Sequence, residues 1–184
     1  MAVAVDDAVL GKLCAFQKAL ADATPPESIR WTPRDQMHLT LKFLGNVPAG
    51  AVEDLASALK SASQGTGPFR LSAEECGAFP SLRNPRVLWV GLSGETEPLC
   101  ALQARIETAT ATWAQKAENR TFHPHLTLGR VRENAMRHAR RIGDVVKVTQ
   151  TPKFGTWEVT EVKLMRSQLS PKGSTHTVLV SVSL

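Results

Sequence analysis

The chain has 184 residues, of which 42% are hydrophobic and 21% charged, a balance typical of soluble globular proteins. It holds no apolar run of the roughly 20 residues that a membrane-spanning helix needs, and its first residues lack the basic start and apolar core of a secretory signal. We therefore expect a cytoplasmic protein with no membrane partner. The net charge of +5 favours anionic ligands, such as RNA or phosphate esters.

Apolar periodicity divides the chain into strands and helices. In order, the predicted elements are a strand at 1–5, a helix at 8–21 capped by Asp6 and Asp7, strands at 29–31 and 37–44, a helix at 49–62, strands at 69–79 and 86–92, and a helix at 96–114. They continue with a strand at 122–131, a basic helix or loop at 132–142, and strands at 145–148, 157–165 and 177–182. This mixed order predicts an α+β fold with antiparallel sheets.

The tetrapeptide His-Leu-Thr-Leu occurs twice, at residues 38–41 and 125–128. The copies lie 87 positions apart (125 − 38), close to half the chain. Alternate side chains of a strand share a face, so each copy turns His and Thr to one face and the two Leu to the other. Strand propensity alone accounts for Leu and Thr, but not for His at both first positions. We therefore predict that two related halves bring two imidazoles and two hydroxyls to one cleft.

These residue types fit acid–base chemistry at a phosphodiester without a metal. A neutral imidazole can take a proton from attacking water and an imidazolium can give one to a departing oxygen, each contributing about 10²- to 10⁴-fold. The hydroxyls of Thr40 and Thr127 can donate hydrogen bonds to non-bridging phosphate oxygens. We expect in-line attack on a phosphorus held between His38 and His125, with positioning supplying further acceleration.

Phe43 and Arg130 occupy matching places, five residues after each first histidine. The odd offset puts both off the histidine face of a flat strand, so a twist or bulge would be needed to turn them inward. Arg130 would then suit a phosphate or a base face and Phe43 a stacked base, although spacing alone makes Phe43 a core residue. Lys42 continues the face of His38 and is interpreted as a solvated surface lysine rather than as a charge near the site.

The other histidines receive structural interpretations. His123 lies two residues before His125, but Pro124 interrupts the ladder between them, so we interpret His123 as structural or supporting. His138 lies in the basic segment 137–141, which predicts a solvated surface that can steer RNA phosphates. The sequence has no helical His-x-x-x-His and no close Cys pair, so we predict no metal site.

Longer strings surround both motifs. They read W-x-P…HLTLKFLG over residues 31–45 and FHPHLTLGR over 122–130, with GAFP at 77–80, VLWVG at 87–91 and LMRS at 164–167. These strings resemble the 2H phosphoesterase superfamily and, within it, the RNA 2′,3′-cyclic phosphodiesterase branch, historically called 2′-5′ RNA ligase. The similarity spans nearly the whole chain.

The resemblance implies a bilobal α+β fold. Two pseudo-twofold-related, mainly antiparallel sheets would be flanked by helices, with the active site in the cleft between them. We expect residues 1–184 to form a single domain made of these two lobes. Members of the family often carry a Tyr near the last strand; this chain has no Tyr, and His176 lies near that place.

The resemblance also implies a reaction and its residues. Members open RNA-terminal 2′,3′-cyclic phosphates to 2′-phosphates, and they can join such an end reversibly to a 5′-hydroxyl as a 2′-5′ linkage without ATP. The matching positions here are His38 as proton donor, His125 as proton acceptor, Thr40 and Thr127 at the phosphate oxygens, and Arg130 and Phe43 at the nucleotide. We expect no cofactor or metal, RNA ends or nucleotides as partners, and a monomer.

Two other functions stay open at this point. One is hydrolysis of a small cyclic nucleotide or of ADP-ribose cyclic phosphate, which relative rates on oligonucleotides and mononucleotides would distinguish. The other is a catalytically silent RNA-binding module, whose salt-sensitive binding would survive loss of the histidines. The intact motifs in both halves favour an enzyme.

Overall fold

Nine strands and four helices lie in the residues that the computed structural model describes, which are 1–114, 121–170 and 173–184. The strands are β1 (Ala2–Val3), β2 (Ile29–Trp31), β3 (Leu39–Thr40), β4 (Phe69–Phe79), β5 (Val87–Gly94), β6 (His125–Val131), β7 (Gly155–Val159), β8 (Glu161–Ser170) and β9 (Gly173–Ser183). The helices are α1 (Asp7–Ala23), α2 (Val52–Ser63), α3 (Thr96–Ala109) and α4 (Ala139–Val148). No helix within the described ranges has both the length and the apolarity to cross a bilayer.

The two motif strands lie at the centre of the sheet. Its order is β7-β4-β5-β6-β3-β1-β8-β9, with β2 pairing beside β6, and each described pairing is antiparallel. Five strands (β7, β4, β5, β6 and β2) thus lie on one side of the β3–β6 contact and four (β3, β1, β8 and β9) on the other. Helices α1 and α4 pack on the β6 side, and α2 packs against α3, β8 and β9 on the other. The predicted bilobal α+β architecture is confirmed, and the two sheets join edge to edge through β3 and β6.

Each half of the chain gives strands to the opposite lobe. Strand β4 follows the first motif in sequence but pairs with β5, which belongs to the lobe of the second motif. Strand β8 follows the second motif but pairs with β1 through Ala2 and Lys163. The lobes are therefore linked by strand exchange as well as by the β3–β6 contact.

Helix α1 shows why the helical predictions succeed. The Asp6 side chain accepts a hydrogen bond of 2.8 Å from the Ala8 N–H, which satisfies one of the free donors at the helix start. The inner face buries Val9, Leu13, Phe16 and Leu20 at helical spacing. The Phe16 ring also meets the Phe154 ring edge-on at 5.3 Å, which fixes the helix to the core.

The predicted strand at 145–148 is wrong, because these residues form the last turns of α4. The β-branched residues there have strand propensity, but packing overrides it. Ile142 and Val146 are four residues apart and both buried, so a helix covers the core with one face. Gly143 lies on that face, where an added Cβ would collide with the Leu82 carbonyl.

The first motif strand is shorter than the predicted 37–44, since β3 contains Leu39 and Thr40 only. The N–H groups of Leu41 and Lys42 donate to the Met1 carbonyl at 2.9 and 3.3 Å. The chain thereby turns away from β6 after the motif.

The interpretation of Lys42 as a solvated lysine is also wrong. Its side chain is 3% exposed, and its Nζ lies 2.7 Å from Glu107 Oε1 and 3.0 Å from the Glu107 carbonyl. The turn after β3 points the ammonium away from the histidine face and into this ion pair. Lys42 is therefore a structural residue between β3 and α3.

Candidate active site

Strands β3 and β6 are adjacent and antiparallel, with Leu39 opposite Leu126. Both leucine side chains are fully buried, so they define the core face of the central strands. The residues on either side of each leucine turn to the other face, because side chains alternate along a strand. That face is where the predicted polar residues lie.

Extending this register by one residue brings the four motif side chains together. His38 then lies opposite Thr127, and Thr40 lies opposite His125. Each histidine is across from the other motif's threonine, and the two histidines are diagonal neighbours about 7–8 Å apart.

The ring of His125 is oriented by the backbone just before it. Its Nδ1 lies 2.7 Å from the His123 carbonyl oxygen. Because a carbonyl oxygen only accepts hydrogen bonds, Nδ1 carries a proton, and Nε2 of the neutral ring is an acceptor with no hydrogen-bond partner among the residues that the structure describes. The ring also meets the edge of Phe79, with centroids 5.1 Å apart. The support from His123 therefore comes from its carbonyl rather than from its imidazole.

The surroundings of His125 favour its neutral form. Burial is the main cause that lowers the pKa of His125, and the positive charges of Arg130 and His123 lower it further. The hydrogen bond to the His123 carbonyl opposes these effects. A neutral imidazole with a free Nε2 is the state that a proton acceptor requires.

His38 contacts a third histidine. Its ring lies 5.1 Å from the ring of His176, at an interplanar angle of 64°. Burial lowers the pKa of His38 to about 4, helped by the charges of His176 and of the Met1 amino group, while a hydrogen bond to the Gln36 backbone opposes the shift. His38 is therefore neutral near pH 7.

The two threonines present hydroxyl groups to the cleft. Thr40 is exposed and Thr127 half-buried. Neither hydroxyl has a hydrogen-bond partner among residues 1–114, 121–170 and 173–184, so both can donate to a ligand. In the same ranges, no group of three or more His, Cys, Asp or Glu side chains is placed to hold a metal ion.

A β-bulge turns Arg130 to the histidine face. Thr127 and Gly129 pair with consecutive residues of β5, so Leu128 between them is an extra residue. The alternation of faces shifts by one beyond the bulge, which puts the exposed Arg130 on the same face as Thr127. A bulge of the kind needed to turn Arg130 inward is therefore present in β6, and contact between Arg130 and a nucleotide stays a prediction.

Gln17 of α1 holds this bulge in place. Its Nε2 donates to the carbonyls of Leu128 and Thr32, each at 2.8 Å. The Thr32 N–H donates to the same Leu128 carbonyl at 2.8 Å. Gln17 therefore supports the strand that carries His125.

Phe43 lies beyond the end of β3, and its side chain is 77% exposed. The core position that spacing favours for this residue is therefore wrong. An exposed aromatic ring is available for stacking, and contact with a base stays a prediction.

A cavity of about 440 Å³ opens beside His125. Its walls include the neighbouring rings of Phe79 and Trp89, whose centroids are 5.1 Å apart, and also Glu74 and Glu75. One water molecule occupies roughly 30 Å³ in the liquid, so the cavity has room for far more than an attacking water. Aromatic walls of this kind can stack on a nucleobase.

Sequence patterns alone give His176 no role in the cleft. It lies opposite Ser167 in the β8–β9 pair, and its Nδ1 is 3.1 Å from the Ser167 hydroxyl. The strand that carries it is tied to the segment before His38, because Gln36 Nε2 donates to the Ser174 carbonyl at 2.5 Å. Only the register of the β8–β9 hairpin reveals this contact, and no residue pattern specifies that register.

Comparison with protein families identifies the class. A family model described as LigT-like phosphoesterase matches the chain twice, over residues 3–89 and 90–176. The chain belongs to this family of 2H phosphoesterases. The two matches repeat at the interval of the two motifs, as expected for lobes of common origin.

Known relatives cover nearly all of this chain. The RNA 2′,3′-cyclic phosphodiesterase of Methanothermobacter thermautotrophicus is 29% identical, over 96% of this chain and 93% of the relative. The enzyme of the same name from Archaeoglobus fulgidus is 32% identical, over 94% and 92%.

Solved structures share the fold. The protein TT0787 of Thermus thermophilus matches with a TM-score of 0.80 and 28% identity, over 100% of this chain and 95% of the other. Escherichia coli LigT in complex with 3′-AMP matches with a TM-score of 0.76 and 26% identity, over 100% and 95%.

Proposed function

We propose that this phosphoesterase opens 2′,3′-cyclic phosphates at RNA 3′ ends to 2′-phosphates. The observation that supports the proposal is the register of Leu39 with Leu126, from which we expect both His/Thr pairs to share one face of adjacent strands. The names of the relatives from Methanothermobacter and Archaeoglobus support the substrate.

In this reaction His125 acts as the proton acceptor. Its Nδ1 is held by the His123 carbonyl, so Nε2 takes a proton from water as the water oxygen bonds to phosphorus. The bond from phosphorus to the 3′ oxygen breaks on the opposite side. His38 gives its proton to that oxygen, which leaves as a hydroxyl and completes the in-line displacement.

Because the pKa of His38 is low, the bound substrate must help His38 to gain the proton that it later donates. At a pKa of about 4 the ring is neutral near pH 7, whereas a proton donor must start protonated. An anionic phosphodiester beside the ring favours the imidazolium and raises its pKa. His38 therefore gains its proton as substrate binds, which couples acid activation to phosphate recognition.

Thr40 and Thr127 then hold the non-bridging oxygens. Each hydroxyl lies across from a histidine of the other strand, so the donors approach the phosphate from both lobes. Hydrogen bonds aimed at charge that develops in the transition state contribute to the rate without a metal ion. We propose that the reaction is metal-independent.

We also propose a reversible joining reaction at the same site. A 5′-hydroxyl of a second RNA would replace water beside His125, and the product would be a 2′-5′ phosphodiester formed without ATP. The cavity of about 440 Å³ next to His125 supports this, because hydrolysis alone needs space for one water. The reverse reaction exchanges the roles of the two imidazoles.

The proposal is tested by incubating the protein in EDTA with an oligonucleotide that ends in a 2′,3′-cyclic phosphate. We expect a 2′-phosphate product, and we expect His38→Ala and His125→Ala each to reduce turnover at least ~10²-fold. His138→Ala is the matched control and retains turnover. A 3′-phosphate product would show that the 2′ oxygen leaves instead of the 3′ oxygen. Near-full activity of either variant would refute the role assigned to the replaced histidine.

Joining is tested in the same mixture by adding a second oligonucleotide. A 5′-hydroxyl acceptor gives a longer product whose new bond resists a nuclease specific for 3′-5′ linkages. The same acceptor with a 5′-phosphate should give none. Hydrolysis without any joined product would support the proposed phosphodiesterase activity and refute the proposed ligase activity.

A further inference from the structure

Arg30 forms a cross-strand pair with Arg130. The two residues lie directly opposite each other in the antiparallel β2–β6 pair. The neighbours of Arg30, Ile29 and Trp31, point to the other face, where an added Cβ on Gly129 would collide with both. Arg30 therefore shares the face of Arg130, which is also the face of the histidines.

Two like charges in this position repel each other. Directly opposite side chains have Cβ atoms about 4.5–5.5 Å apart, and like charges there destabilise a sheet. Both arginines are exposed, and neither forms a salt bridge with any residue in the described ranges. Arg132, two residues beyond Arg130, is also exposed and adds a third positive charge at this end of the cleft. An anionic ligand would relieve this repulsion.

The pair lies at a distance from the reacting phosphorus that a longer substrate can span. The β5 partners of His125 and Arg130 are Gly91 and Val87, four register steps apart. At about 3.3 Å per step this is roughly 13 Å along the sheet. A mononucleotide held between the histidines has its only phosphate at the reacting centre, whereas an RNA chain carries further phosphates beyond it.

We propose that Arg30 and Arg130 together bind a backbone phosphate of the RNA strand that leads to the cyclic end. The inference rests on the proposed function and extends it, because it makes a polynucleotide rather than a mononucleotide the preferred substrate. Guanidinium groups suit this role, since each presents paired N–H donors that match two phosphate oxygens. Arg30 is thus a binding residue for the chain, not for the reacting group.

The test compares two substrates that carry the same 2′,3′-cyclic phosphate end, a mononucleotide and a tetranucleotide. Arg30→Gln should raise the KM of the tetranucleotide about 10-fold and change kcat/KM of the mononucleotide less than about 2-fold. The dependence of log KM on log salt for the tetranucleotide should become shallower by about one unit. Lys18→Gln, which removes an exposed positive charge from α1, is the matched control and should leave both substrates unchanged.

Two outcomes overturn the inference. If Arg30→Gln weakens both substrates equally, Arg30 acts on the fold or on the terminal nucleotide. If it weakens neither, the pair binds no phosphate. Thermal unfolding of Arg30→Gln and Arg30→Lys identifies a loss of folding, and the lysine variant should retain part of the tetranucleotide affinity.

A binding measurement separates this inference from the proposed function. Fluorescence anisotropy with a labelled tetranucleotide ending in a 2′-phosphate needs no turnover. If the wild-type protein hydrolyses nothing and Arg30→Gln binds the oligonucleotide more weakly than wild type, the arginine pair is supported and the phosphodiesterase is refuted. If wild type and Arg30→Gln both hydrolyse the substrate and bind the oligonucleotide with equal affinity, the phosphodiesterase is supported and the arginine pair is refuted.

Discussion

The ring of His176 lies edge-on to the ring of His38, with their centroids 5.1 Å apart. The contact joins the β8–β9 hairpin to the first motif, two elements that are distant in sequence. It places a second titratable group beside the residue that we propose as the proton donor. The charge of His176 is one of the causes that lower the pKa of His38, after burial.

Replacing His176 with Phe keeps an aromatic ring beside His38 but removes its charge. Burial remains as the main cause that lowers the pKa of His38, whereas the contribution of His176 is lost. The pKa of His38 should rise from about 4 without reaching its ordinary value. NMR titration of the His38 ring measures this, and the limb of the kcat/KM profile that reports His38 should move to higher pH. An unchanged titration would show that His176 does not act on His38 through charge.

The stability of the ligand-free protein should fall as the pH is lowered from about 6.5 to about 4. His38 titrates near 6.5 in the unfolded chain and at about 4 in the folded protein, so in this window the unfolded state binds more protons. The free energy of unfolding therefore decreases with decreasing pH. Thermal unfolding measured across this range should show a weaker dependence in His38→Gln than in wild type, and His138→Gln serves as control. Equal pH dependence in all three would contradict the buried, neutral state of His38.

Replacing Gln17 with Leu should loosen the bulge that carries Arg130. The carbonyls of Leu128 and Thr32 lose a donor, which costs about 1–3 kcal/mol of the free energy of unfolding. Oligonucleotide KM should rise as well, because the strand that positions Arg130 is no longer fixed. Urea unfolding and steady-state kinetics measure both. Gln103→Leu, which removes one long hydrogen bond of 3.4 Å, should change neither by a comparable amount.

Removing Glu107 from its ion pair with Lys42 should reduce the stability of the protein more than removing Lys42. Glu107→Leu leaves the 3%-exposed ammonium of Lys42 without its counterion, and we expect a loss of about 3–5 kcal/mol. Lys42→Met leaves a carboxylate that is 31% exposed and still hydrated, so its loss should be smaller. Urea unfolding measures both, and Lys42→Met should retain turnover because Lys42 is not in the cleft. A large loss of turnover in a folded Lys42→Met protein would show that Lys42 acts in the active site.

The central site could be predicted because its information is local. A histidine and a threonine two residues apart share a strand face, and the repetition of the motif indicates that both copies serve one purpose. The buried Leu39 and Leu126 confirm which face meets the core. The pairing of β3 with β6 needed the fold, since no residue pattern states which strands are adjacent.

The remaining features depend on contacts between distant segments. Lys42 has the spacing of a cleft residue, but the turn after β3 and the carboxylate of Glu107 place it elsewhere. Arg130 has the spacing of the opposite face, and the extra residue Leu128 reverses it. Residues 145–148 have strand propensity, yet the buried Val146 is four residues after Ile142 and completes a helical face. In each case tertiary packing outweighs a local preference.

The exchange of strands β4 and β8 between lobes has a consequence for how the molecule can be divided. A cut between residues 89 and 90, where the two family matches meet, falls inside β5 and separates β1 from β8, β2 and β3 from β6, and β4 from β7. Neither fragment would contain a complete sheet, so we expect the two fragments to fold only when they associate with each other. Catalysis by the duplicated unit is thus a property of the interlocked whole, although each half carries a full copy of the motif.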